Sequence, residues 1–279
     1  MSNSNALSTL LAAMTDAAHV AGADALTFFR SGQLTQARVD TKHGGSPVTE
    51  ADLRVDVYLR ERLGALVPEA GWLSEETADT SARLEKSAVF IVDPIDGTRA
   101  FVGGDPRWAV SIAYVVDGVP VLGVLHLPAL QETFVAQAGR GATLNGVAAA
   151  VSARPTLDGG RFAGPKSLID PMSGHLAKDG LNITREPKIP SLAYRFACVA
   201  SGVLEAAVAS TNAQDWDIAA ADVILREAGG AVTNLQGQMP TYNLPDTSHG
   251  VLLAAPTRFQ DQLNAALGHG RESVSGRVG

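Results

Sequence analysis

Val89-Phe90-Ile91-Val92-Asp93-Pro94-Ile95-Asp96-Gly97-Thr98 decides how the rest of the chain is read. With Ala88 it opens as a short apolar run rich in β-branched residues, which reads as a buried strand. Asp93-Pro94 then reads as a turn, because proline fixes its own φ and moves the preceding residue out of the helical region. Two carboxylates at the end of a buried strand repel each other in a poorly solvated place, so Asp93 and Asp96 require a compensating cation. Hard oxygen donors suit Mg²⁺, which retains water and takes a few carboxylates together with a substrate phosphate. Gly97 lets the backbone approach a ligand closely, and a helix starting after it would turn N–H groups toward an anion.

An isolated Asp-x-x-Asp is more often a solvated strand exit than a metal site. Three further acid sets reverse that balance. Trp72-Leu73-Ser74-Glu75-Glu76 places an acidic pair after an apolar step. Asp215-Trp216-Asp217 opens an alanine-rich helix that ends at Glu227-Ala228-Gly229-Gly230, and Thr49-Glu50-Ala51-Asp52 adds carboxylates near the N-terminus. Together, Ser74-Glu75-Glu76, the Asp93–Thr98 motif and Trp216-Asp217 before Ala228-Gly229-Gly230 resemble the inositol monophosphatase superfamily, over roughly residues 7 to 267.

The resemblance implies a mixed α/β (α+β) chain, folded as a layered α-β-α-β-α sandwich of the inositol monophosphatase and fructose-1,6-bisphosphatase type. It implies a lithium-sensitive phosphomonoesterase using two or three Mg²⁺ ions. Glu75, Asp93 and the Ile95 carbonyl would bind the first ion, and Asp93, Asp96 and Asp217 the second. Asp52 would pair with the Thr98 hydroxyl to orient and deprotonate the attacking water, giving Asp52, Glu75 and Thr98 catalytic roles. Gly97 and Thr98 would offer backbone N–H groups to the phosphate, with Asp96 and Asp217 also at the substrate. Other readings stay open: Asp52 as a first-turn acid favoured by the helix dipole, Glu76 as a solvated acid, and Lys42 as either a loop lysine or a phosphate ligand.

Composition narrows the class. Of 279 residues, 46% are hydrophobic and 18% charged, which supplies a large core and argues against wholesale disorder. A net charge of −7 with no basic run disfavours nucleic-acid binding, and an acidic chain that handles phosphate needs a metal to reverse the local field. The single cysteine, Cys198, excludes an intrachain disulfide framework. No apolar run approaches a membrane span and no leader pattern stands at the N-terminus, so the cytoplasm is the expected compartment. The scattered histidines disfavour zinc. Relatives are often homodimers, and the expected ligand is a small phosphorylated metabolite.

Along the chain, a helix is expected from about Leu7 to Arg30 and a second, capped by Thr49, through Leu66 with Leu53, Val57, Leu59 and Leu63 as its apolar face. Asp117-Gly118 between apolar runs predicts a hairpin of two residues or slightly more. The Ser/Pro/Asp/Gly cluster after Val151 marks a boundary near 150. Residues 1–150 form an N-terminal α+β domain with most ligands, residues 151–267 a C-terminal α/β domain with Asp217, and 268–279 a disordered tail.

Substrate choice turns on departures from the family pattern. Inositol-hydrolysing members carry a second Thr after Gly-Thr and an acid several residues before Trp-Asp. Here Arg99 and the acid-free segment Ala209–Gln214 stand in those places. The basic Arg99 after Gly-Thr and Asn212 shortly before Trp-Asp look more like bacterial 3′(2′),5′-bisphosphate nucleotidases, which remove the 3′-phosphate of 3′-phosphoadenosine 5′-phosphate, whereas Ile95 is closer to the inositol branch. Arg195 is read either as a ligand for a second phosphate or as a solvated helix arginine. Inositol, sugar or histidinol phosphates are the alternative substrates, and a non-enzymatic accessory factor in RNA metabolism is the alternative class.

Overall fold

The computed structural model describes residues 3–42 and 44–275, with side-chain environments between residues 5 and 268. The first half contains α1 (Asn3–Leu26), β1 (Val39–Thr41), β2 (Pro47–Thr49), α2 (Glu50–Leu66), β3 (Gly71–Ser74), β4 (Ala88–Asp96), α3 (Thr98–Gly103), β5 (Ala109–Val116), β6 (Val119–Leu127), β7 (Glu132–Gln137), β8 (Gly141–Leu144) and β9 (Val147–Ala148). The second contains β10 (Arg161–Ala163), α4 (Lys166–Leu176), β11 (Thr184–Arg185), α5 (Leu192–Ala200), β12 (Ala206–Ala209), β13 (Ala213–Gln214), α6 (Asp215–Glu227), β14 (Gly230–Asn234), β15 (Ser248–His249), β16 (Leu252–Pro256) and α7 (Gln260–Ser275).

A seven-stranded sheet runs β3-β4-β5-β6-β7-β8-β9, parallel at β3/β4 and antiparallel thereafter. A mixed five-stranded sheet runs β11-β10-β12-β16-β14. Both are covered on both faces, which is why β4 is apolar from Ala88 to Val92 rather than alternating with polar residues. Phe90 and Val92 enter a core with α1 and α2, whereas Val89 and Ile91 enter the central core with α5 and α6. In the second sheet, Ala207 and Leu252 face that central core, and Val208 and Leu253 face α4 and α7. The layers are therefore α1/α2, sheet, α5/α6, sheet, α4/α7: the five-layer sandwich. At Gly123 a Cβ would lie 2.5 Å from Val223 and 2.7 Å from the Ala220 carbonyl oxygen, so glycine on β6 sets how closely α6 approaches the first sheet.

Four expectations are corrected, and the Asp117-Gly118 hairpin is found as expected. The Asp93-Pro94 pair does not end the strand: β4 continues to Asp96 with a register shift between Asp93 and Asp96, because a bulge accommodates the proline and re-aims the acids. α1 ends at Leu26, four residues before Arg30. The expected β5–β6 hairpin has the shorter of its anticipated lengths, two residues, with Asp117 and Gly118 both at positive φ. The helix expected to yield to a disordered tail at residue 268 continues to Ser275. On α2 the buried residues are Ala51, Asp52, Val55, Asp56, Leu59 and Leu63, while Leu53 and Val57 are 43% and 56% exposed. Apolar spacing misassigned that face because two of its inward positions are carboxylates. Leu53 and Val57 instead line an open groove of about 580 Å³ that contains none of the candidate ligands. No helix among the described residues is long and apolar enough to cross a membrane.

Candidate active site

The acids converge where the ends of β3 and β4 meet the starts of α5 and α6. Asp93, Asp96 and Asp217 each present a carboxylate oxygen within 4.8 Å of the others. Asp93 and Asp96 project from the bulged end of β4, and the Ile95 N–H donates to Asp93 Oδ1 at 3.0 Å. Asp217 stands at the third position of α6, where its Oδ2 accepts the Gln214 N–H at 2.7 Å in a capping box. Asp96 is held by the start of α5: the Ser191 hydroxyl and the N–H groups of Leu192 (3.2 Å) and Ala193 (2.8 Å) all donate to it. Glu75 lines the same cleft of about 230 Å³, together with Gly97, Thr98, Arg99 and Lys188.

Glu75 is not within the tight triad. Lys42 Nζ lies 2.7 Å from an oxygen of each of Glu75 and Glu76. Lys42 is thus a counter-ion of the acidic pair, and Glu76 is neither free nor merely solvated. Burial works to lower the Lys42 pKa, but the two carboxylates outweigh it and raise it. The Glu75–Glu76 loop is anchored from α2, where Asp56 accepts Ser74 Oγ at 2.5 Å and Thr77 Oγ1 at 2.6 Å.

Gly97 adopts φ 95°, and α3 begins at Thr98, so the expected helix start exists. The Thr98 hydroxyl lies 3.2 Å from Asp52 Oδ1 and 3.1 Å from the Ile95 carbonyl oxygen. Asp52 Oδ2 accepts the Thr49 N–H and hydroxyl in a capping box. One carboxylate therefore caps its helix with one oxygen and reaches the site with the other, so both readings of Asp52 apply. Arg195 lies apart from the triad. Its guanidinium donates to the carbonyls of Ile189 (2.8 Å) and Val208 (3.1 Å), so it is neither solvated nor aimed into the acid cleft. Sequence reasoning missed Asp56, Ser191 and Lys188. Ser191 is legible as the N-cap of α5, and Asp56 as the acid one turn beyond Asp52. Lys188 carries no local signal.

The donor set fits Mg²⁺: it is all oxygen, anionic and poorly solvated. Burial raises every acid of the triad. Asp217 is pushed up to about 8 by burial and by the Asp96 charge. Asp96 goes to about 6, raised by burial and partly restrained by the Ser191, Ala193 and Leu192 donors. Asp93 is raised well above the usual range by burial and by the charges of Glu75, Asp96 and Asp217. The metal-free folded protein therefore retains protons that the unfolded chain has released. This contribution to stability is full below pH about 4 and is lost as pH rises through about 6 and then about 8. In chelator, the melting temperature should fall between pH 5 and pH 8.5. Saturating Mg²⁺ should raise it by about 5 °C or more, with the larger gain at the higher pH. Calorimetry with and without Mg²⁺ reads both slopes, and an equal gain at both pH values would contradict a metal-neutralised cage.

Buried carboxylates at a strand bulge, a positive-φ glycine opening a helix, and a threonine hydroxyl backed by an acid define a metal-dependent hydrolase of phosphoric monoesters. The chain belongs to the inositol monophosphatase family, whose profile matches residues 6–271. Members of this family depend on Mg²⁺. Among its relatives, the histidinol-phosphatase of Mycobacterium tuberculosis is 37% identical over 231 residues, 77% of this chain and 84% of that protein. The 3′(2′),5′-bisphosphate nucleotidase CysQ of Aggregatibacter actinomycetemcomitans is 31% identical over 74% of this chain and 78% of its own. The extragenic suppressor protein suhB of Bartonella henselae superposes with a TM-score of 0.79 at 28% identity, covering 93% of this chain and 98% of its own.

Proposed function

We propose that this phosphatase removes the 3′-phosphate of 3′-phosphoadenosine 5′-phosphate. The observation that carries the reading is the charge of the cleft wall facing the acids. It presents Arg99 and Lys188, and no carboxylate precedes Trp216 within Ala209–Gln214. That wall suits a substrate with further negative charge. It is poorly matched to histidinol phosphate, whose ammonium asks for an acid, or to inositol phosphate, whose hydroxyls ask for acceptors. The nucleotidase relative supports the same reading. The more similar histidinol-phosphatase relative supports the second one, histidinol phosphate.

Glu75, Asp93, Asp96, Asp217 and the Ile95 carbonyl would hold two or three Mg²⁺ ions, which when bound neutralise the acids and stabilise charge on the phosphoryl oxygens. The chain's own residues supply the proton path. Thr98 Oγ accepts a proton from the attacking water as its own proton passes to Asp52 Oδ1. The N–H groups following Gly97 hold the phosphate oxygens. A panel of 3′-phosphoadenosine 5′-phosphate, histidinol phosphate and inositol 1-phosphate at saturating Mg²⁺ tests the assignment. The expected result is kcat/KM at least about tenfold higher for the bisphosphate nucleotide, and a preference for histidinol phosphate overturns it.

A further inference from the structure

Next to the acid cleft lies a second cavity of about 420 Å³, lined by Lys166, Arg185, Lys188, Ile189, Arg195 and Ser210, with Gly164 and Pro165. No acid lines it, although the chain as a whole carries a net charge of −7. Lys188 lines both this cavity and the acid cleft, so the two spaces share a wall.

The four cations are not equivalent. Lys166 and Arg185 both lean on Asp170, at 4.0 Å and 3.3 Å, in exposed pairs that are weak and readily exchanged for another anion. Arg195 is braced against the Ile189 and Val208 carbonyls and fixes the segment that carries Lys188. The Lys188 carbonyl accepts Arg107 Nη1 at 3.1 Å, which holds its backbone in place, and its side chain lines both cavities. Lys166 is the first residue of the eleven-residue α4, whose N-terminus has no side-chain cap. Uncapped N–H groups and the helix dipole add to the positive field there.

We propose that this cavity is the subsite for a second phosphate of the substrate, with Lys188 as the residue that selects bisphosphorylated over monophosphorylated metabolites. The proposal rests on the phosphatase reading of the acid cleft, but not on the nucleotide. The acid cleft takes the phosphate to be cleaved, and the cationic cavity takes the phosphate that is retained. Arg195, which the sequence left as either a second-phosphate ligand or a solvated helix arginine, lines this cavity and braces its neighbours through the Ile189 and Val208 carbonyls.

The test compares matched substrate pairs at saturating Mg²⁺: 3′-phosphoadenosine 5′-phosphate against adenosine 3′-monophosphate, and fructose 1,6-bisphosphate against fructose 1-phosphate. In the native protein the bisphosphate member of at least one pair should have the higher kcat/KM, with the difference in KM and shrinking as ionic strength rises. Lys188→Glu should reduce that preference by about tenfold or more, and Lys188→Arg should largely keep it. If the sugar pair shows this behaviour and the nucleotide pair does not, the nucleotidase assignment falls and the subsite stands. If the native protein prefers neither bisphosphate, or Lys188→Glu leaves the preference intact, the subsite is overturned while Mg²⁺-dependent phosphatase activity is untouched.

Discussion

Asp93→Asn should abolish phosphatase activity, by about 10³-fold or more in kcat, while making the metal-free protein more stable rather than less. The two signs come from one cause. Asp93 is buried, and Glu75, Asp96 and Asp217 all press their charge upon it. Its Oδ1 accepts only the Ile95 N–H among the described contacts, a role that an amide oxygen can take over. The substitution therefore removes repulsion without removing packing, and the metal-free melting temperature at pH 8 should rise by a few degrees. The stabilisation by Mg²⁺ should shrink in step. A variant that kept its turnover, or lost its fold, would count against Asp93 as the shared ligand. Asp96 is a poorer choice for this experiment. It accepts from Ser191, Leu192 and Ala193, so an amide there would set its NH₂ against donors and disturb α5.

Thr98→Val should lower kcat by about 10²-fold or more with little change in KM, and Asp52→Asn should lower it comparably. The hydroxyl and the carboxylate lie 3.2 Å apart and form one proton path, so the double variant should be scarcely slower than either single one. The two differ in stability. Asp52 also accepts both Thr49 donors of the α2 cap, so Asp52→Asn alters that cap whereas Thr98→Val leaves it intact. Burial raises Asp52 to about 6, with the Thr49 and Thr98 hydrogen bonds opposing it. The acid accepts a proton only when ionised, so kcat should decline as pH falls below about 6, and that limb should disappear in Asp52→Asn. Multiplicative losses in the double variant would show that the two groups act separately.

The difference between reading and structure lies mainly in what a local pattern can encode. The β-branched run before Asp93 and the Thr49 cap were legible because strand propensity and capping depend on neighbours in sequence. The inward face of α2 was not. A carboxylate in a helix is ordinarily solvated, and nothing near Asp56 in the sequence reveals that Ser74 and Thr77 will donate to it. Lys188 was silent for a similar reason. Its charge gains meaning only when the segment before α5 separates two cavities.

From its order of residues alone the chain determined which groups are available: five acids in four segments, a glycine and threonine after a buried strand, and apolar stretches enough for two covered sheets. The tertiary structure alone decided how those charges add. Layering the α5/α6 pair between the sheets brings Asp217 and the Ser191 donors to the end of β4, while the loop between β1 and β2 sets Lys42 on Glu75 and the second half gathers the cations around Lys188. Coulomb energies depend on separation and on the solvent excluded between charges, and neither quantity exists until the layers close.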